Sequence, residues 1–183
     1  GLGVEARLEL LARICDAVEY AHQKDVIHCD LKPDNVLLDV HGNPHVLDFG
    51  IARVVRGGTQ DTPAQRHGGT PGFMSPEQLA GGDPVPAWDV YALGVLAYEL
   101  FGIDFDPGAP ARVETPARGT RFAEDLAWIL LKATHPDGNQ RWNAAAALGA
   151  ALRRCRASQP IPEARPGLAR RALLFALRNR TLV

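Results

Sequence analysis

Between residues 28 and 50 the chain places a carboxylate, a lysine, an amide and a second carboxylate within two short motifs. The first is His28-Cys29-Asp30-Leu31-Lys32-Pro33-Asp34-Asn35, and the second is Asp48-Phe49-Gly50. Asp30, Lys32, Asn35 and Asp48 stand in the order used for phosphoryl transfer from Mg-ATP. That reaction asks for positioning, charge neutralisation and an oriented hydroxyl rather than covalent help. A third motif, Ser75-Pro76-Glu77, follows downstream. One such match is a weak signal. Three in order, at suitable spacing, make coincidence a poor explanation.

Loops of this kind need rigid elements around them. Leu8, Leu11, Ala12, Cys15, Val18 and Ala21 to His22 recur at helical spacing and predict a helix over 5–24. Val26-Ile27-His28 reads as a short strand entering the first motif. Val36 to Asp39 and His45 to Leu47 read as two strands joined by the turn His41-Gly42-Asn43-Pro44. Residues 51–75 are rich in Gly, Thr, Gln and Pro and lack periodicity, which predicts a long loop of the functional kind. A short helix is expected from Pro76. Residues 86–101 are apolar on nearly every side, which places that helix at the domain centre. A loop over 103–120 precedes helices over 122–135 and 143–155. Pro160 to Pro166 reads as a linker, and 167–180 as a basic, partly amphipathic helix.

Composition sets the outer bounds. The 183 residues are 46% apolar, enough for one globular domain with a real core. A net charge of -1 gives no global field toward nucleic acid, and none is expected as a partner. Cys15, Cys29 and Cys155 are odd in number and widely spaced, which fits a reducing compartment without a disulfide framework. No signal peptide or spanning apolar run is evident, so a cytoplasmic location is expected. Lysines are scarce, occurring only at Lys24, Lys32 and Lys132, which makes Lys32 stand out.

The first two motifs resemble the H-R-D-L-x-x-x-N catalytic loop and the D-F-G loop of protein kinases, and Ser75-Pro76-Glu77 is similar to the A-P-E that follows them. Gly68-Gly69-Thr70-Pro71-Gly72-Phe73-Met74-Ser75-Pro76-Glu77-Gln78 resembles bacterial Ser/Thr kinases in particular. The resemblance implies a mainly α fold with a small β ribbon that sets the two loops facing each other: the carboxyl-terminal lobe of a kinase. It covers roughly residues 4–156, within a lobe expected over 1–158, with the catalytic loop at 28–35 and the activation segment at 48–77. It implies ATP and Mg2+ as cofactors and a protein substrate. Asp30 would orient the substrate hydroxyl, and Lys32 would offset charge on the transferring phosphoryl group. Asn35 and Asp48 would hold the magnesium. Thr70 would bridge Asp30 and Lys32. His28 would pack against Phe49 beside Gly50, Glu77 would pair with Arg141, and Asp89 would hold the catalytic-loop backbone.

Departures from the family carry expectations of their own. No G-x-G-x-x-G and no V-A-I-K-type lysine precedes Asp30 in this sequence, so the amino-terminal lobe is expected to be missing or separate, and the chain alone to be inactive. Cys29 replaces an arginine that pairs with a phosphorylated activation loop, so phosphorylation at Thr59 or Thr62 is expected to matter little by that route. A metal site at His28 and Cys29 is disfavoured, since strand neighbours point to opposite sides. The interval after Phe101 is short for the family by roughly 15 residues, somewhat more than one average helix. Residues 159–183 form a linker and an Arg-rich tail resembling a juxtamembrane stretch, which would face anionic lipid on the cytoplasmic side. Two rivals stand beside the kinase reading. One is a non-catalytic lobe that binds a protein partner. The other is a small-molecule kinase of related fold, disfavoured by Ser75-Pro76-Glu77.

Overall fold

Every residue from Trp88 to Tyr98 is buried, so one helix is walled in on all sides and the others must pack around it. The computed structural model describes residues 2–49, 69–106 and 121–162, with backbone alone at 121 and 122. The described elements are α1 (Val4–His22), β1 (Val36–Leu38), β2 (Pro44–Val46), α2 (Pro76–Leu79), α3 (Pro86–Phe101), α4 (Arg121–Ala133) and α5 (Ala145–Arg156). Short 3-10 turns cover Pro33–Asn35, Pro71–Phe73 and Gly138–Gln140. The fold is mainly helical with one two-stranded ribbon.

The buried helix is α3. Pro86 opens it, where a missing N–H costs nothing, and Gly102 closes it in the left-handed region at φ 64°. Leu8, Leu11, Ile14 and Val18 of α1, Leu126, Ile129 and Leu130 of α4, and Leu148 and Leu152 of α5 complete the core. Each large apolar side chain buried in this way contributes about 1.5–3 kcal/mol.

Helices α1 and α5 lie side by side. Gly149 permits the approach: a Cβ there would sit 3.1 Å from the Cys15 Cβ. Arg153 makes a two-armed ion pair with Asp16 across the seam, and Arg156 reaches Glu9 at 3.2 Å. Burial pushes the Cys155 thiol up to about 12, with Asp125 adding to the effect, and pushes the Cys15 thiol up as well. Neither is available as a thiolate at neutral pH. On α4, Lys132 Nζ lies 5.3 Å from the Trp128 ring centre and 4.4 Å from that of Trp142.

The ribbon is antiparallel, with Val36 opposite Val46 and Leu38 opposite Pro44. Its turn is organised by Asp39, whose carboxylate accepts from the His41 and Asn43 N–H groups and from Asn43 Nδ2. Those bonds, the ones from Asn43 foremost, hold the Asp39 carboxyl down at about 2. Arg13 Nη1 of α1 donates to Asn43 Oδ1 at 2.7 Å and seats the ribbon on the helix.

The strand expected at Val26-Ile27-His28 is not formed. Among the described residues that stretch has no ladder partner, and its backbone is spent elsewhere: Val26 N–H on the Ala21 carbonyl and His28 N–H on the Asp89 carboxylate. Residues 107–120, the greater part of the interval expected to be shortened, and residues 163–183 lie outside the described residues.

Contact between α3 and α4 depends on Gly94. A Cβ at that position would lie 2.7 Å from Thr134 Cγ2 and 2.9 Å from Ala133 Cβ. Gly94→Ala should therefore destabilise the protein by about 1–3 kcal/mol, the usual cost of overpacking, despite the gain in helix propensity. Urea unfolding followed by circular dichroism checks this; a midpoint at or above the wild-type value would count against the close packing.

Candidate active site

Cys29 adopts a left-handed backbone, φ 66°, a conformation that costs a non-glycine residue of order 1 kcal/mol or more and needs support from its surroundings. The support begins with Asp89, a carboxylate 1% exposed in the first turn of α3. Its Oδ2 accepts from His28 N–H at 2.8 Å and its Oδ1 from Cys29 N–H at 2.9 Å. His22 Nε2, at the end of α1, lies 2.7 Å from Oδ2. From the far side, Gln78 Nε2 of α2 donates to the Cys29 carbonyl at 2.7 Å.

His28 sits beneath this turn, 3% exposed. Its Nδ1 accepts from Asp30 N–H at 3.3 Å, so Nε2 carries the hydrogen and donates it to the Leu47 carbonyl at 2.8 Å. Its ring is 5.0 Å from that of Phe49. With both ring nitrogens engaged, His28 has no lone pair left for a metal. The alternation expected of strand neighbours does not apply, because Cys29 is in a turn.

The turn projects Asp30 toward Lys32 and Thr70, and the three form a closed triangle. Lys32 Nζ donates to Asp30 Oδ2 and to Thr70 Oγ1, both at 2.9 Å, and Thr70 Oγ1 donates to Asp30 Oδ1 at 3.0 Å. Partial burial alone would raise the Asp30 pKa. The hydrogen bonds from Lys32 and Thr70, with the lysine charge, outweigh it and hold the carboxyl below its ordinary value. A carboxylate kept ionised beside an ammonium and a hydroxyl can orient a third hydroxyl, while the ammonium offsets incoming negative charge.

Asn35 closes the loop by donating from Nδ2 to the Asp30 carbonyl at 2.8 Å, which leaves its Oδ1 as the end available to a cation. Leu47 N–H donates to the Asn35 carbonyl at 2.8 Å, so Asp48 follows directly on a backbone tie to Asn35. Asp48 is itself left-handed at φ 57°, a conformation that aspartate tolerates better than most residues. Among the described residues no group of three or more His, Cys, Asp or Glu is placed to hold a metal. Gly50, Thr59 and Thr62 lie outside the described residues.

Glu77 and Arg141 meet in a two-armed pair, Nη1 to Oε1 at 2.5 Å and Nη2 to Oε2 at 2.8 Å. Arg141 also donates to the carbonyls of His135, Ala87 and Pro136, and its guanidinium lies 4.9 Å from the Tyr91 ring centre. Ser75, fully buried, caps α2 by accepting from Gln78 N–H at 3.3 Å. The sequence reading does not single out His22 or Gln78. His22 ends an apolar helical stripe, and Gln78 merely follows a motif glutamate; nothing local marks either as reaching another element.

Residues 4–107 match the protein kinase domain. Serine/threonine-protein kinase PknB of Mycobacterium leprae (strain TN) is 36% identical over 169 residues, 86% of this chain and 27% of that protein. Serine/threonine-protein kinase Pkn1 of Myxococcus xanthus is 43% identical over 103 residues, 54% of this chain and 15% of that protein. Serine/threonine-protein kinase PrkC of Bacillus subtilis (strain 168) is 34% identical over 150 residues, 75% of this chain and 23% of that protein. The chain thus spans about a quarter or less of the length of these relatives.

The Glu77–Arg141 pair sets a stability expectation. Removing one partner of a buried pair costs about 3–5 kcal/mol. Glu77 is 33% exposed while Arg141 is fully enclosed, so Glu77→Ala should fall near the lower end. Burial raises the Glu77 pKa, but the bonds and charge of Arg141 outweigh it and the carboxyl is held low. A depressed carboxyl lends stability above its unfolded pKa and loses it as pH falls through the folded value. The gap between wild type and Glu77→Ala, measured by denaturant unfolding, should therefore narrow on acidification below the ordinary glutamate range. A gap that widens there would show that the pair is not what stabilises.

Proposed function

This chain belongs to the protein kinase family, and we propose that it supplies the catalytic-loop half of a Ser/Thr kinase, transferring the γ-phosphate of ATP to a serine or threonine of a protein. The closed triangle of Asp30, Lys32 and Thr70 carries this reading. The lobe would occupy residues 1–158. A substrate hydroxyl approaching Asp30 finds an ionised acceptor that orients it and takes its proton as the new O–P bond forms and the bond from the γ-phosphorus to the bridging oxygen breaks, releasing ADP. Lys32, beside Asp30, faces the same space and offsets the charge of the phosphoryl oxygens. Thr70, shared by both, ties the segment expected to receive the substrate to the groups that act on it.

The family uses ATP with a divalent metal, and the residues here suit Mg2+. That ion takes oxygen donors and is commonly held by one or two carboxylates together with nucleotide phosphates. Asn35 Oδ1 and the Asp48 carboxylate would be its protein ligands. When bound, the ion would neutralise charge on the phosphates. Leu37, Leu38 and Val40 leave apolar surface open along the ribbon, at 55%, 49% and 94% exposure, which supports a covering lobe on that side of the site.

In the full-length gene product, Asp30→Asn should abolish transfer of labelled phosphate to protein Ser or Thr. Lys32→Ala should lower kcat more than it raises the KM for ATP, since it acts on the transferring group. Undiminished transfer by Asp30→Asn would refute the assignment and favour a partner-binding lobe.

Among the described residues no helix is long and apolar enough to cross a membrane. For the tail we propose a surface role at the cytoplasmic face. Residues 163–183 carry Arg165, Arg170, Arg171, Arg178 and Arg180 against Glu163, and each basic residue near an anionic leaflet contributes about 1 kcal/mol. Co-sedimentation should require anionic lipid, weaken with salt, and be lost when the chain ends at Pro160. Equal pelleting of that shortened form would show that the tail is not the anchor.

A further inference from the structure

The Cys29 carbonyl and the Asp30 N–H belong to one peptide unit, and that planar unit is gripped at both ends. His28 Nδ1 takes the N–H, and Gln78 Nε2 holds the oxygen at 2.7 Å. Gln78 is 2% exposed, so its bond is made out of water, where an orphaned carbonyl would be costly. The backbone over the bond has been cleared for it. At Gly69, φ +135°, an added Cβ would lie 3.2 Å from Gln78 Nε2 and 3.3 Å from the Cys29 oxygen. The next residue is Thr70, which bonds both Asp30 and Lys32. The segment that carries the threonine and the helix that follows it thus converge on the peptide unit from which Asp30 projects.

We propose that Gln78 is a positioning residue for phosphoryl transfer, acting through the Cys29 carbonyl to fix the peptide plane that aims Asp30. The proposal rests on the kinase reading above. The clamp is neutral at both ends, an amide on a carbonyl. It holds the left-handed turn at Cys29 together with Asp89, which grips the N–H groups on the other side of the same turn.

The test uses two variants in the full-length gene product. Gln78→Leu keeps the bulk and removes the donor. Its kcat should fall about tenfold, with the KM for ATP changed less than about threefold. Gln78→Glu keeps the shape. When ionised it turns a carboxylate on the Cys29 oxygen, and when protonated it regains an O–H donor. Burial favours the protonated form, so its activity relative to wild type should climb as pH is lowered from about 8 to about 6. Cys29, Asp30, Asp89, Lys32, His22, His28 and the Glu77–Arg141 pair, the titratable and charged groups around the joint, are common to both proteins, so their own titration enters both profiles and drops from that ratio. A merely structural glutamine would give no such climb. Amide hydrogen exchange at Asp30 supplies a readout that needs no activity: it should quicken in Gln78→Leu. Wild-type turnover in Gln78→Leu, a ratio flat with pH in Gln78→Glu, or unchanged exchange at Asp30 would each overturn the clamp. The Asp30→Asn control separates this from failure of the kinase reading, because full transfer by that variant sinks the reading whatever the exchange shows.

Discussion

One carboxylate, inside a helix that is otherwise apolar where it is buried, governs the geometry of the site. Taking Asp89 out of water carries a penalty of several kcal/mol, tolerable only if its lone pairs are matched. They are matched by the His28 and Cys29 N–H groups and by His22. Because α3 is walled in on all sides, Asp89 cannot swing out to solvent, and the groups that satisfy it cannot drift. The end of α1 and the turn before Asp30 are thereby registered to the most rigid element of the domain. The Asp30–Lys32–Thr70 triangle inherits its position from that registration.

The two loops are joined by backbone and by one imidazole rather than by charge. Leu47 donates to Asn35 and accepts from His28, so the ribbon delivers Asp48 to a place fixed by two adjacent bonds. The ribbon alone would not suffice, since a two-stranded hairpin is marginal in water. Its attachment to α1 through Arg13 and Asn43 supplies what the strands lack.

Much of this could be read from residue order. Helix α3 follows from a stretch that is apolar on nearly every side. Helices α1, α4 and α5 follow from apolar spacing, to within a few residues. The ribbon follows from two short apolar runs around a turn sequence. The candidate groups at Asp30, Lys32, Asn35 and Asp48 stand out because their types and spacing are chemical. Supporting contacts are legible only where a motif announces them, as at Asp89 and Glu77. His22 and Gln78 escape because each acts on a group 67 or 49 residues away, and a side chain's identity does not disclose a distant carbonyl or carboxylate. Val26 to His28 misleads for a related reason. Its β-branched residues suit a strand, but the backbone donor of His28 is taken by Asp89 of α3.

The packing of α1 against α5 bears on how the domain is made. The ion pair between Asp16 and Arg153 spans 137 residues, and Cys15 and Gly149 meet in the same seam. Helix α1 packs along α5, so a nascent chain leaves part of the apolar face of α1 uncovered until α5 has been made. Closing so long a loop also places the entropic cost ahead of the contacts that offset it, which slows folding relative to a bundle of sequential neighbours. The seam that makes the finished domain cooperative is therefore also what delays it, and the nascent chain depends on its surroundings to keep that apolar face of α1 from meeting another chain first.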